Sequence, residues 1–68
     1  MKITRIQKDI PMRIQTQVME VLRRHHISTV EEFTRQNLNS LKGENGLTHI
    51  DIYDLKKVQD KYRYHVNI

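Results

Sequence analysis

The sequence predicts an all-α fold. Its apolar residues recur at helical spacing, helix-start signatures precede three of the apolar stretches, and its only two glycines sit together in one short loop. Residues 2–9 are charged and loosely patterned, with Ile3, Ile6 and Ile10 as apolar points. Three conformations stay open there: an arm, a turn of helix or a short strand. Pro11 suits the first turn of a helix, where its missing N–H costs nothing, and Ile14, Val18, Val21 and Leu22 follow at i, i+4, i+7 and i+8. This spacing predicts an amphipathic helix ending near His25, with Glu20 and Arg24 paired on its outer face. Arg23, Arg24, His25 and His26 then lie against its negative C-terminal end, which explains them without a ligand.

A second helix starts at 28–33, where Ser28 with Glu31, or Thr29 with Glu32, can form a capping box and Val30 and Phe33 face inward together. Asn37 can cap again, and Leu38 and Leu41 favour a separate short helix over residues 37–42. Gly43 and Gly46 bracket Glu44 and Asn45 in a sharp loop. Thr48 with Asp51 offers another capping box, after which Ile52, Leu55, Val58 and Tyr62 carry a last helix towards the C-terminus. The whole chain, 1–68, reads as one domain: an arm or irregular segment over 1–9, a helical body over 10–62, and a tail over 63–68 expected to fray.

With 37% hydrophobic residues, no Trp and one Phe among 68, the core must be built from Ile, Leu, Val and Met. A chain this short buries only about 60% of its unfolded surface, so self-association into a homo-oligomer is a further expectation. Twelve Lys and Arg against eight Asp and Glu give a net charge of +4 and a pI near 9.7. Such a balance steers polyanions, and it is equally what a solvated surface carries. No Cys is present, which removes disulfides, thiolate metal sites and thiol nucleophiles. The absence of any long apolar run gives the expectation of a cytoplasmic protein with no membrane partner.

The four His show no metal-ligand spacing: His25 and His26 are adjacent, and His49 and His65 are scattered. No Ser-His-Asp arrangement can be proposed from spacing, and Gly43-x-x-Gly46 lacks the Lys-Ser/Thr that would make a phosphate loop. A non-enzymatic chain without metal or cofactor is therefore expected.

The run Ile27-Ser28-Thr29-Val30-Glu31-Glu32-Phe33, preceded by Val21-Leu22-Arg23-Arg24, resembles the C-terminal domain of the bacterial RNA polymerase alpha subunit. There a helix ending in a Leu-Lys/Arg pair leads into "Gly-Ile-x-Thr-Val-x-Glu-Leu". The likeness runs without gaps through Leu38, Leu41 and Gly46-Leu47-Thr48 to Ile52, Leu55 and Lys56, covering roughly 12–62. It implies a compact four- or five-helix bundle containing a helix-hairpin-helix element, which in that family grips the DNA minor groove and its phosphates. This sequence departs from the family at the contacts. The family's DNA-contacting Arg falls on Gln17 and its nearby Asn on Glu20, while at the hairpin its Gly falls on Thr48, its Lys on Ile50 and its Ser on Asp51. Inserting one helical turn would bring Arg13 onto the Arg position.

The first 41 residues also resemble ribbon-helix-helix repressors and antitoxins, dimers that lay paired strands in the major groove. That resemblance requires a strand at residues 3–10, although Ile3 and Ile6 would fall on its opposite faces.

Two functions follow as expectations. One is a DNA-binding, transcription-associated module whose contacts are Lys42, Asn45, Gly46, His49, Lys56 and Lys57. The other is a protein-interaction module, of phage or mobile-element type, that binds transcription machinery or another host protein. Lys56, Lys57, Lys61 and Arg63 with Tyr53, Tyr62 and Tyr64 make the densest basic-aromatic mixture in the chain, in which rings could stack on bases or pack on a partner. Tyr62 continues the Ile52-Leu55 stripe and so reads as core.

Overall fold

Helical spacing of apolar residues, interrupted by Pro11 and the two glycines, gives a chain of short helical pieces closed by one long helix. The computed structural model describes residues 1–66. A 3-10 helix at Ile3–Asp9 and a 3-10 turn at Met12–Ile14 precede α1 (Gln15–Arg24) and α2 (Val30–Arg35). Two more 3-10 turns, Leu38–Leu41 and Glu44–Gly46, lead into α3 (His49–Val66). The all-α expectation holds. Among the described residues no strand forms, only an isolated bridge between Lys2 and Thr29.

Residues 2–9 take the helical option of the three left open by the sequence. Side chains three apart line up along a 3-10 helix, so Ile3 and Ile6 share an edge, and the segment packs on α2 with Ile6 fully buried. The strand required by the ribbon-helix-helix resemblance is not there. Seven residues is long for a 3-10 helix, since its hydrogen bonds are poorly aligned, and groups outside the segment hold it. The Ile3 N–H donates to the Ser28 carbonyl at 3.0 Å, and Gln15 Nε2 donates to the carbonyls of Gln7 at 2.9 Å and Ile10 at 3.1 Å. At its end Asp9 accepts from Lys61 Nζ at 2.8 Å and from the Tyr62 hydroxyl at 2.5 Å. The Lys61 bond, and after it the Tyr62 bond, hold the Asp9 carboxyl below its ordinary range. The same carboxylate pushes the Tyr62 hydroxyl up.

Met12–Ile14 delays the α-helix expected at Pro11, so α1 begins at Gln15 and ends at Arg24. It stops because His26 adopts a left-handed φ of 58°. The His26 N–H then bonds the Arg23 carbonyl at 3.0 Å, and the Ile27 N–H bonds the Leu22 carbonyl at 2.9 Å. These paired bonds, with buried Leu22 and Ile27, form the Schellman arrangement that usually has Gly at the left-handed position.

Of the two capping boxes open at α2, Thr29 with Glu32 forms: Thr29 Oγ1 accepts from the Glu32 N–H, and the Glu32 carboxylate accepts from the Thr29 N–H, each at 3.1 Å. Hydrogen bonds from the Thr29 and Ser28 hydroxyls lower the Glu32 pKa. The other end of α2 is closed from across the core. Buried Gln59 of α3 donates to the carbonyls of Phe33 at 2.9 Å and Gln36 at 2.7 Å, and Arg63 donates to that of Thr34 at 3.2 Å.

Gln59→Leu puts a side chain of similar size on an apolar face, yet we expect it to destabilise the protein by about 1–3 kcal/mol. It strips a donor from the Gln36 carbonyl and leaves that of Phe33 only its bond from the Gln36 N–H. Chemical denaturation measures the loss; a variant as stable as the wild type would refute this role for Gln59.

Asn37 caps Leu38–Leu41 as a separate short helix, with its side chain accepting from the Asn39 N–H at 3.2 Å. At α3, Thr48 Oγ1 accepts from the Asp51 N–H, and Asp51 accepts from the Thr48 N–H at 2.9 Å. Ile52, Leu55, Val58 and Tyr62 follow as its buried stripe, joining Ile6, Ile10, Val18, Val21, Leu22, Val30, Phe33, Leu38 and Leu41 in one core. The radius of gyration, 10.8 Å, equals within rounding the about 11 Å expected of a compact chain of this length. α3 runs on to Val66, so the tail expected to fray is helical over 63–66, and residues 67–68 lie outside the described residues.

Candidate functional site

Gly43, Asn45 and Gly46 all have positive φ, at 88°, 50° and 82°. A Cβ on either glycine would meet nothing within 4 Å, so the turn needs glycine for its backbone angles and not for space. The resulting reversal is tied by the Gly43 N–H to the Leu47 carbonyl at 2.8 Å. It sets Lys42 beside the first turns of α3.

There Lys42, His49 and Lys56 line a groove of about 350 Å³ together with Asn39, Ile50, Ile52 and Tyr53. His49, Tyr53 and Lys56 share one helix face because they are spaced i, i+4, i+7. No carboxylate lines the groove. Lys42 and Lys56 are exposed, and neither is ion-paired among the described residues. Asp60, one turn further along this face, lies 3.5 Å from Arg63.

The other expected contacts diverge from this cluster. Asn45 turns back to α1, where its Nδ2 donates to the Gln17 carbonyl at 3.2 Å and to the Glu20 carboxylate at 3.1 Å. Gly46 is exposed within the turn. Lys57 lies outside the groove lining, with Nζ 4.8 Å from the centre of the Tyr53 ring.

Three carboxylates outside the groove lining, Asp51, Asp54 and Glu44, are each bonded to a basic side chain of the fold. Arg13 donates to Asp51 at 3.3 Å and to Asp54 at 3.1 Å, so the arginine that a one-turn insertion would assign to DNA is ion-paired to α3. On the turn at Glu44–Gly46, Glu44 accepts from His25 Nε2 at 2.9 Å. The α3 N-terminus is likewise occupied by its own Asp51 carboxylate, which leaves side chains rather than bare amides to meet an anion.

Sequence spacing had set Tyr53 within a basic-aromatic mixture but assigned it no place in the site. The structure leaves its ring 60% exposed, beside Ile50 at 57%. A larger concavity of about 840 Å³ lies between the N-terminal 3-10 helix and α1. Its walls combine Ile3, Met19 and Ile27 with both Glu20 and Arg23, a mixed charge that gives a polyanion no preference.

Among the described residues no group of three or more His, Cys, Asp or Glu is placed to hold a metal ion. The His65 side chain lies outside those residues. No helix among the described residues is long and apolar enough to cross a membrane. No family model, curated protein or solved structure matches the chain.

Proposed function

We propose that the chain is a small non-enzymatic DNA-binding module, transcription-associated, which holds a phosphate backbone against the groove between its hairpin and α3. The observation that carries this reading is the meeting of Lys42, His49 and Lys56 in one groove lined by no carboxylate. Lys42 and Lys56 bring two cations to one groove, where each can meet a phosphate, and the overall charge of +4 steers the polyanion in. Further support comes from the resemblance to the polymerase alpha-subunit domain. The left-handed residue His26 aligns with the Gly of that motif, and Gly46-Leu47-Thr48 aligns with the family's hairpin. The contacts differ from that family's. Gln17 and Glu20 hold Asn45, and Ile50 is a bare apolar side chain.

Binding by two or three cations releases that number of counterions, so affinity for DNA should fall about 10- to 40-fold between roughly 50 and 200 mM salt. Amide resonances over residues 42–57 should shift on titration at the lower salt. If none of them moves, the DNA reading is lost.

A second reading, a protein-interaction module that binds transcription machinery, is favoured by exposed Ile50 and Tyr53 in the same groove. Tight DNA binding that Lys56→Glu abolishes, with no protein captured in a pull-down, would count against it.

A further inference from the structure

Tyr53 is the feature of this groove that duplex binding does not use. In an intact duplex the faces of the bases are stacked on one another and only their edges, sugars and phosphates are accessible. A tyrosine ring meets such a surface poorly. It meets the face of an unpaired base well, because every base has a π-face and stacking on it is sequence-tolerant.

The ring is 60% exposed and lines the groove together with Lys42 and Lys56. Lys57, which does not line the groove, has its ammonium 4.8 Å from the ring centre. A cation over one face still leaves the ring largely exposed, with area for a stacked partner. The groove, about 350 Å³, falls within the roughly 300–1,000 Å³ of small-ligand pockets, large enough for one flat group. Ile50 and Ile52 supply apolar contact beside that ring.

We propose that the groove takes single-stranded DNA, with one unpaired base stacked on Tyr53 and the flanking phosphates held by Lys42 and Lys56. The proposal rests on the DNA-binding reading above and specifies the form of the strand.

The test uses the full chain and a fluorescent oligo-dT of about 12 nucleotides, inside the 4–16-nucleotide range of single-strand sites, alone and annealed to its complement. The single strand is expected to bind at least about tenfold tighter than the duplex. Tyr53→Ala should weaken single-strand binding about tenfold, and Tyr53→Phe, which keeps the π-face, should stay within about twofold of wild type. Tyr53 is exposed, and circular dichroism of each variant checks that the helices are intact. Duplex binding equal to or tighter than single-strand binding would overturn the proposal and leave the DNA reading standing. So would a Tyr53→Ala variant with undiminished single-strand affinity. Failure of both forms to bind would remove the DNA reading itself.

Discussion

Phe33→Ala should unfold most of the protein or bring it to the edge of unfolding. Phe33 is fully buried in α2 and is the only Phe of the chain, and truncation of a buried Phe costs about 3–5 kcal/mol through lost transfer energy and the cavity left behind. At about 0.05–0.15 kcal/mol per residue, a 68-residue chain has only about 3–10 kcal/mol to lose. The variant should show a much reduced helical signal at room temperature, or a denaturation midpoint shifted by most of the wild-type value. Phe33→Leu keeps most of the volume and should retain a cooperative transition. If Phe33→Ala unfolds within about 1 kcal/mol of wild type, the core described above cannot be organised around that ring.

The double substitution Lys42→Glu with Lys56→Glu should reduce DNA affinity by about 100-fold, roughly tenfold for each reversed charge. Each change removes a cation from the groove and puts a carboxylate in a lining that has none. The dependence of log affinity on log salt should become shallower by about two, one for each lost phosphate contact. Stability should stay near wild type, because both lysines are exposed and outside the ion pairs that join the helices. Anisotropy at two or more salt concentrations measures both quantities. A variant that binds with unchanged affinity and slope would move the site elsewhere on the surface.

Local features of the fold were legible in the sequence, because their signals lie within a few residues of one another. The 3.6-residue stripe of α1, the separate turn at Leu38–Leu41, the boxes at Thr29 and Thr48, and the stripe of α3 belong to this class. Features that depend on residues far apart were not. Ile3, Ile6 and Ile10 did not distinguish an arm from a helix or a strand, since what decides is the α2 surface that covers Ile6. Gln59 reads as an ordinary polar residue until the C-terminal end of α2 meets the middle of α3, 26 and 23 residues apart in its two bonds. Arg13 likewise gave no sign that its partners would be Asp51 and Asp54.

The candidate site divides in the same way. His49 and Lys56 share a face by helical period alone, whereas Lys42 joins them only because three positive-φ residues reverse the chain. Asn45 and Lys57 were grouped with them by proximity in sequence. The turn directs the first to α1, and the helical period carries the second over the Tyr53 ring.

The bonds from Lys61 and Tyr62 to Asp9 join residues 52 and 53 positions apart, and that has a kinetic consequence. Most helical proteins of this size fold quickly because their contacts are local. Here the Asp9 end of the first 3-10 helix gains its bonds from Lys61 and Tyr62 only after a loop of some fifty residues has closed, an entropic cost that grows slowly with length but must be met before the contact forms. The N-terminal segment should therefore be among the last parts to gain hydrogen-exchange protection during refolding, after α1 and α2 are formed. In the native protein its amides should open together with the final turns of α3, as one cooperative unit formed from opposite ends of the chain.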